Sequence, residues 1–116
     1  MKREIEFRGQ TSKGEWVYGC LLNNKHDRIG FYNNVYKFEI NAVIPETVGQ
    51  YTGITDKNGK KIFEGDIVSI DGKNYEVKYL LGQFFVGINM PIAYKRFECE
   101  VIGNIFDKER DDGRED

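Results

Sequence analysis

The sequence predicts a mainly β protein: an N-terminal β lobe packed on a small C-terminal barrel of the SH3 type, with at most one or two short helical turns. Apolar residues recur at every second position in one run after another, the period of a half-buried strand. Thirteen glycines against two prolines, with 14% aromatic residues, favour strands joined by tight turns. No stretch of about a dozen residues carries the apolar stripe of an amphipathic helix.

The first strand is read at Ile5 and Phe7, which alternate with Glu4, Glu6 and Arg8, and Gly9–Gly14 forms a loop after it. Glu15–Leu22 follows, with Trp16, Tyr18, Cys20 and Leu22 on one face and Val17, Gly19 and Leu21 on the other. Glycine at 19 suggests a close approach of another segment or a bend. Asn23–Asp27 is a polar turn, Ile29–Tyr32 a short strand, and Asn33-Asn34 a reversal. Val35–Ile40 then alternates, with Tyr36, Phe38 and Ile40 expected inward.

The stretch Val43–Val68 organises the chain, with four glycines, one proline and four carboxylates between the two sets of strands. Val43-Ile44 is read as a strand stopped by Pro45, which lacks a ladder donor, and Glu46–Gln50 as a single helical turn. Tyr51–Ile54 is again extended. Asp56-Lys-Asn-Gly59 is a turn, Glu64-Gly65-Asp66 a second bend, and Asp71-Gly72 a two-residue hairpin corner. Five strands are assigned to the barrel: Ile67–Ile70, Asn74–Leu80, Gln83–Asn89, Phe97–Val101 and Ile105-Phe106, with a bulge allowed at Gly103. Tyr75, Val77 and Tyr79 share one side of the second of these, and Phe84, Val86 and Ile88 one side of the third. Asn89–Lys95 is a loop. The boundaries are therefore 1–55 for the N-terminal lobe, 56–106 for the barrel and 107–116 for a charged, disordered tail.

Charge narrows the functional classes. The chain has 17 Lys and Arg against 19 Asp and Glu, for a net charge of −2. The tail holds three of the former and six of the latter, leaving 14 against 13 in the folded part. No global field is present to hold a polyanion. Met1-Lys-Arg-Glu runs straight into a charged alternating segment, which predicts no secretory leader, and no apolar run reaches membrane-spanning length. Two cysteines in separate strands, Cys20 and Cys99, are expected as buried thiols of a reduced, cytoplasmic protein.

At Trp16-Val-Tyr-Gly19, Val43-Ile-Pro-Glu-Thr-Val-Gly-Gln-Tyr-Thr-Gly53, Asp56-Lys-Asn-Gly59, Phe63-Glu-Gly-Asp-Ile-Val68 and Val101-Ile-Gly-Asn-Ile105, the sequence resembles the YopX protein family. The resemblance covers residues 4–106 in order. It implies a bacterial phage or prophage gene and a mostly β fold with a C-terminal SH3-like barrel. It implies no catalytic residue, because the family's biochemical role is not established.

Candidate sites divide by chemistry. His26 is the single histidine and sits in a polar turn, so neither a zinc site nor a nucleophile–His pair is spelled out by spacing. Glu46, Asp56, Glu64 and Asp66 are able to serve as acid–base groups or hold a hard cation. The competing structural reading has Asp56 capping its turn before Gly59, Asp66 or Glu64 accepting amides at the Gly65 bend, and Asp71 with Gly72 closing a hairpin. The Gly49–Gly53 and Gly9–Gly14 segments lack the pattern of a phosphate loop. Lys57, Lys60 and Lys61 lie beside Tyr51 and Phe63, and Lys95 and Arg96 beside Tyr94 and Phe97, a mixture that grips single-stranded nucleic acid when it converges on one face. Trp16, Val17, Tyr18, Leu21 and Phe85 exceed what one small core covers, which predicts an interface.

The expected function is therefore non-enzymatic: binding to a host or phage protein, self-association into a homo-oligomer, or both, with no cofactor and no membrane. The alternatives are a nucleic-acid-binding barrel and, third, a metal-dependent hydrolase on Glu46, Glu64 and Asp66.

Overall fold

A computed structural model of the chain describes residues 5–32, 38–80, 82–86, 90–92 and 98–107, and among them eleven β-strands. Between Tyr51 and Thr52 the chain divides into two compact units.

In the first unit, β1 (Phe7–Gln10), β2 (Trp16–Leu21), β3 (Arg28–Tyr32), β4 (Phe38–Ala42) and the first part of β5 (Ile44–Thr55) form an antiparallel sheet in the order β4-β3-β2-β1-β5. The β1–β2 hairpin turns through Thr11–Glu15. Gly14 takes φ 88°, and the Thr11 hydroxyl accepts the amides of Lys13 and Glu15 at 3.3 and 3.2 Å. Across β2, β3 and β4 the register sets Leu21 opposite Ile29 and Ile29 opposite Asn41. On that face Ile29 is fully buried, and Val43 packs closely on Gly9.

Pro45 does not end its strand. Gln10 pairs with Ile44, yet Arg8 pairs with Gly49, so the register slips and β5 bulges between them. The bulge removes the need for a Pro45 amide in the ladder. The Thr47 hydroxyl substitutes for lost pairing: it accepts the Gln10 N–H at 2.8 Å and donates to the Ile44 carbonyl at 2.6 Å. Residues 46–50 are thus bulged strand rather than the expected helical turn.

The second unit takes over the end of β5, which turns into β6 (Lys61–Phe63). Then β7 (Asp66–Ile70), β8 (Lys73–Leu80), β9 (Gln83–Val86), β10 (Met90–Pro91) and β11 (Glu100–Asn104) form an antiparallel sheet ordered β10-β9-β8-β7-β11. Asp71 and Gly72 adopt φ 53° and 83°, the two left-handed positions that a type I′ corner requires. The β11–β7 register slips between Val101 and Gly103, leaving Ile102 as the extra residue. Consequently one bulged strand, Glu100–Asn104, stands where two were expected: Glu98 and Cys99 precede it, Ile105-Phe106 lies in a turn, and Phe97 is outside the described residues. The core of this unit is Ile62, Val68, Ile70, Val77, Val86, Ile92 and Cys99, with Ile54, Tyr75, Phe84 and Val101 packed around it. Each fully buried Val or Ile in that set contributes roughly 1.5–3 kcal/mol.

The expectations for Asn33-Asn34, Tyr36, Ile88, Lys95, Arg96 and the tail from 108 onward lie outside the described residues.

Candidate interaction surface

Alternation in β2 and β4 places two sets of side chains on opposite faces of the first unit's sheet. The register aligns Cys20 with Gly30 and Gly30 with Ile40 in one row across three strands. Two residues along from that row come Tyr18 in β2, Leu22 just past its end, and Phe38 in β4. Gly30 verifies the facing independently, because a Cβ there would run into the Phe38 ring and the Leu22 methyl. Ile40 is 58% exposed, Tyr18 43%, and Leu22 and Phe38 40% each, so the row is an apolar surface open to solvent. Cys20 is exposed within it and donates its S–H to the Gly30 carbonyl at 3.5 Å. The expectation that Phe38 and Ile40 point inward is therefore wrong, as is a buried Cys20. Alternation sorts residues into two faces without saying which is buried, and the buried Ile29 lies on the opposite one.

Toward β1 the same face carries Arg8 opposite Tyr18 and Gln10 opposite Trp16. The Arg8 guanidinium lies 4.6 Å from the Trp16 ring centroid, a cation–π contact, and Arg8 is only 5% exposed. Expected outward, Arg8 is buried, while Ile5 is 60% exposed. The planar guanidinium stacks on indole where an ammonium would not lie flat.

Within the first unit the predicted interface set divides between the two faces of the sheet. Trp16 and Tyr18 belong to the apolar face, Trp16 half-buried and Tyr18 exposed. Val17 and Leu21 lie half-buried on the opposite face, and Phe85 is in the second unit, paired with Lys78. Leu22, Phe38 and Ile40 complete the surface and were not singled out by sequence reasoning. In the second unit Tyr79, on the side it shares with the buried Val77, is 49% exposed, its ring 4.8 Å from that of Phe84.

The central carboxylates serve the backbone. Asp56 is 6% exposed; its Oδ1 accepts the amides of Asn58 and Lys60, each at 2.9 Å, and its Oδ2 accepts the Val101 N–H at 2.8 Å. Burial works against its charge, but the amides of Val101, Lys60 and Asn58 and the positive Lys60 outweigh that, holding the carboxyl below its usual value. Gly59 closes this turn at φ 83° and donates to the Asp56 carbonyl at 3.0 Å. Asp66, 2% exposed, accepts the Phe63 N–H at 2.8 Å beside Gly65, whose φ is 93°. Gly65 in turn donates to Val77 and accepts from Ile105, each at 2.9 Å. Glu46 is exposed and Glu64 half-buried. Among the described residues no three His, Cys, Asp or Glu side chains gather in a way that would hold a metal ion. His26 is exposed in a turn at φ 60°.

Of the basic candidates, Lys57 faces Glu100 at 3.9 Å, Lys60 is exposed and Lys61 half-buried. Cys99 is fully buried, and burial, with the charges of Asp56 and Glu98, pushes its thiol above the ordinary value. Among the described residues no helix is long and apolar enough to cross a membrane.

Comparison with known proteins adds a family and a fold. The sequence model described as YopX protein matches residues 6–110. The chain is similar to the crystal structure of protein EF1440 from Enterococcus faecalis, with 24% identity and a TM-score of 0.62 over 94% of this chain and 98% of that one. No protein of curated function matches.

Proposed function

Because the chain belongs to the YopX protein family, we propose that it is a phage or prophage accessory protein that acts by binding, chiefly to copies of itself, rather than by catalysis. The observation that carries this reading is the exposed row of Tyr18, Cys20, Leu22, Phe38 and Ile40 on one sheet face. Contiguous apolar surface of this kind on a small chain marks a contact with another macromolecule. Asp56 and Asp66 support a non-catalytic role, since both spend carboxylate oxygens on backbone amides. Among the described residues nothing of this kind favours the nucleic-acid or hydrolase alternatives: Lys57 faces Glu100, and no three His, Cys, Asp or Glu side chains gather to hold a metal ion.

The second unit is read as an SH3-like small barrel. In support, its sheet runs as a meander β7-β8-β9-β10 with the last strand, β11, returning beside the first, the strand order such barrels use. The bacterial host cytoplasm is the proposed compartment, in keeping with two free thiols.

Sedimentation equilibrium across a dilution series tests the reading. Association is expected at tens of micromolar, weakening as salt is lowered because an apolar contact carries it. A strict monomer throughout would end the self-association proposal, and a tagged pull-down from phage-carrying cells would then identify the true partner.

A further inference from the structure

We propose that a second copy of the chain pairs antiparallel with β4, about a two-fold axis perpendicular to the sheet and midway between the two copies of Ile40, so that the first unit's sheet continues across two molecules. This rests on the self-association reading and names its interface. Outermost strands ordinarily carry devices that discourage pairing: short length, proline, lysine or a bulge. Three strands of the second unit do so. β10 has two residues, one of them Pro91; β11 is bulged at Ile102; β6 has three residues, beginning with Lys61. Among the described residues β4 is the outermost strand of the first unit, and it has no proline, lysine or bulge; its one charge is Glu39. It is five residues long, Phe38-Glu-Ile-Asn-Ala42, and keeps an unbroken register with β3 throughout.

The strand is also complementary to itself. Centred on Ile40, the antiparallel pairing sets Ile40 opposite Ile40 of the second copy, Phe38 opposite Ala42, and Glu39 opposite Asn41. The single charge in the strand meets an amide. Centring on Glu39 instead would oppose two carboxylates, which is destabilising. Centring on Asn41 would pair the polar amides and carry Phe38 beyond the strand's end. A perpendicular two-fold leaves the same face up in both copies, so the exposed Phe38 and Ile40 of each copy come together. The two rows of Tyr18, Cys20 and Leu22 then flank one continuous apolar band.

Two variants and a cross-link test this on the full chain. Ile40→Cys in a Cys20→Ser background is expected to form a disulfide-linked dimer under mild oxidation, since directly opposed residues approach within disulfide range. Glu39→Cys in the same background, being opposite Asn41, is expected to cross-link poorly. Asn41→Lys, which sets a cation against Glu39 of the second copy, should tighten association. Asn41→Glu should weaken it roughly tenfold, a difference of about 1.4 kcal/mol. A merely structural effect would move both Asn41 variants the same way. If the parent associates but Ile40→Cys cross-links no better than Glu39→Cys, this interface is wrong while self-association stands. If the parent is monomeric at tens of micromolar, the self-association reading itself has failed.

Discussion

Removing the Asp56 carboxylate tests whether the central carboxylates are scaffolding. Asp56→Ala deprives three amides of their acceptor: Asn58 and Lys60 in the turn, and Val101, 45 residues away in sequence. The two turn amides belong to exposed residues and can turn to water, so each bond is worth about 1 kcal/mol. Val101 is half-buried, and its stranded N–H costs about 2 kcal/mol. The total, about 4 kcal/mol, is a large share of the roughly 5–15 kcal/mol that holds a domain together. In a chain of this size it lowers the melting temperature by about 15 °C. Circular dichroism melts and urea titrations read this directly. Asp71→Asn is the control: Asp71 is exposed at φ 53°, a backbone that asparagine adopts readily, and the change should be within about 0.5 kcal/mol. The pH dependence carries a sign. Asp56 is held below its usual value in the folded state. Its stabilisation is therefore complete above the unfolded value near 4 and fades as pH falls through the lower, folded value. The gap between parent and Asp56→Ala should accordingly close on acidification below about 4. A melting temperature within a few degrees of the parent at neutral pH would refute the scaffolding account.

Three further outcomes follow from the packing. Cys20 is exposed and Cys99 buried with a raised pKa, so the native protein should react with one equivalent of a thiol reagent and release the second only on unfolding; two fast equivalents would contradict the buried core of the second unit. Gly19→Ala would drive a methyl group into the Gly30 carbonyl oxygen, and should loosen β2 from β3, seen as faster amide exchange in both strands; unchanged exchange would show that the close approach is not rigid. Thr47→Val removes the hydroxyl that bridges Gln10 and Ile44 across the β5 bulge, and should cost about 1–2 kcal/mol in urea unfolding.

Turn chemistry makes part of this fold readable from the residues alone. Asp71-Gly72, Asp56–Gly59 and Gly65 do what their residue types permit within a few bonds of themselves, and the left-handed angles at Asp71, Gly59, Gly65 and Gly72 are local facts. The bulge at Ile102 is signalled by a break of alternation beside a glycine. Which face of a strand meets the core is not local. Phe38 and Ile40 alternate cleanly with polar neighbours, and in isolation that pattern assigns them to a core; the sheet instead covers the side of Ile29. Arg8 fails in the opposite direction, because its burial depends on Trp16, brought alongside by the β1–β2 register. Pro45 misleads for a similar reason. A missing donor ends a regular ladder, but β5 is bulged there and Thr47 supplies the pairing. The candidate surface is legible in the sequence only as an excess of apolar residues, which points to Trp16 and Tyr18 but not to Leu22, Phe38 and Ile40.

Hydrogen exchange measured at low and high protein concentration tests most directly whether the first unit's sheet, through its β4 edge, is a contact between copies. The peptide covering Phe38–Ala42 should gain protection as concentration rises, while the Asp56–Gly59 turn exchanges at one rate throughout. Exchange in β4 that is the same at every concentration would contradict the account.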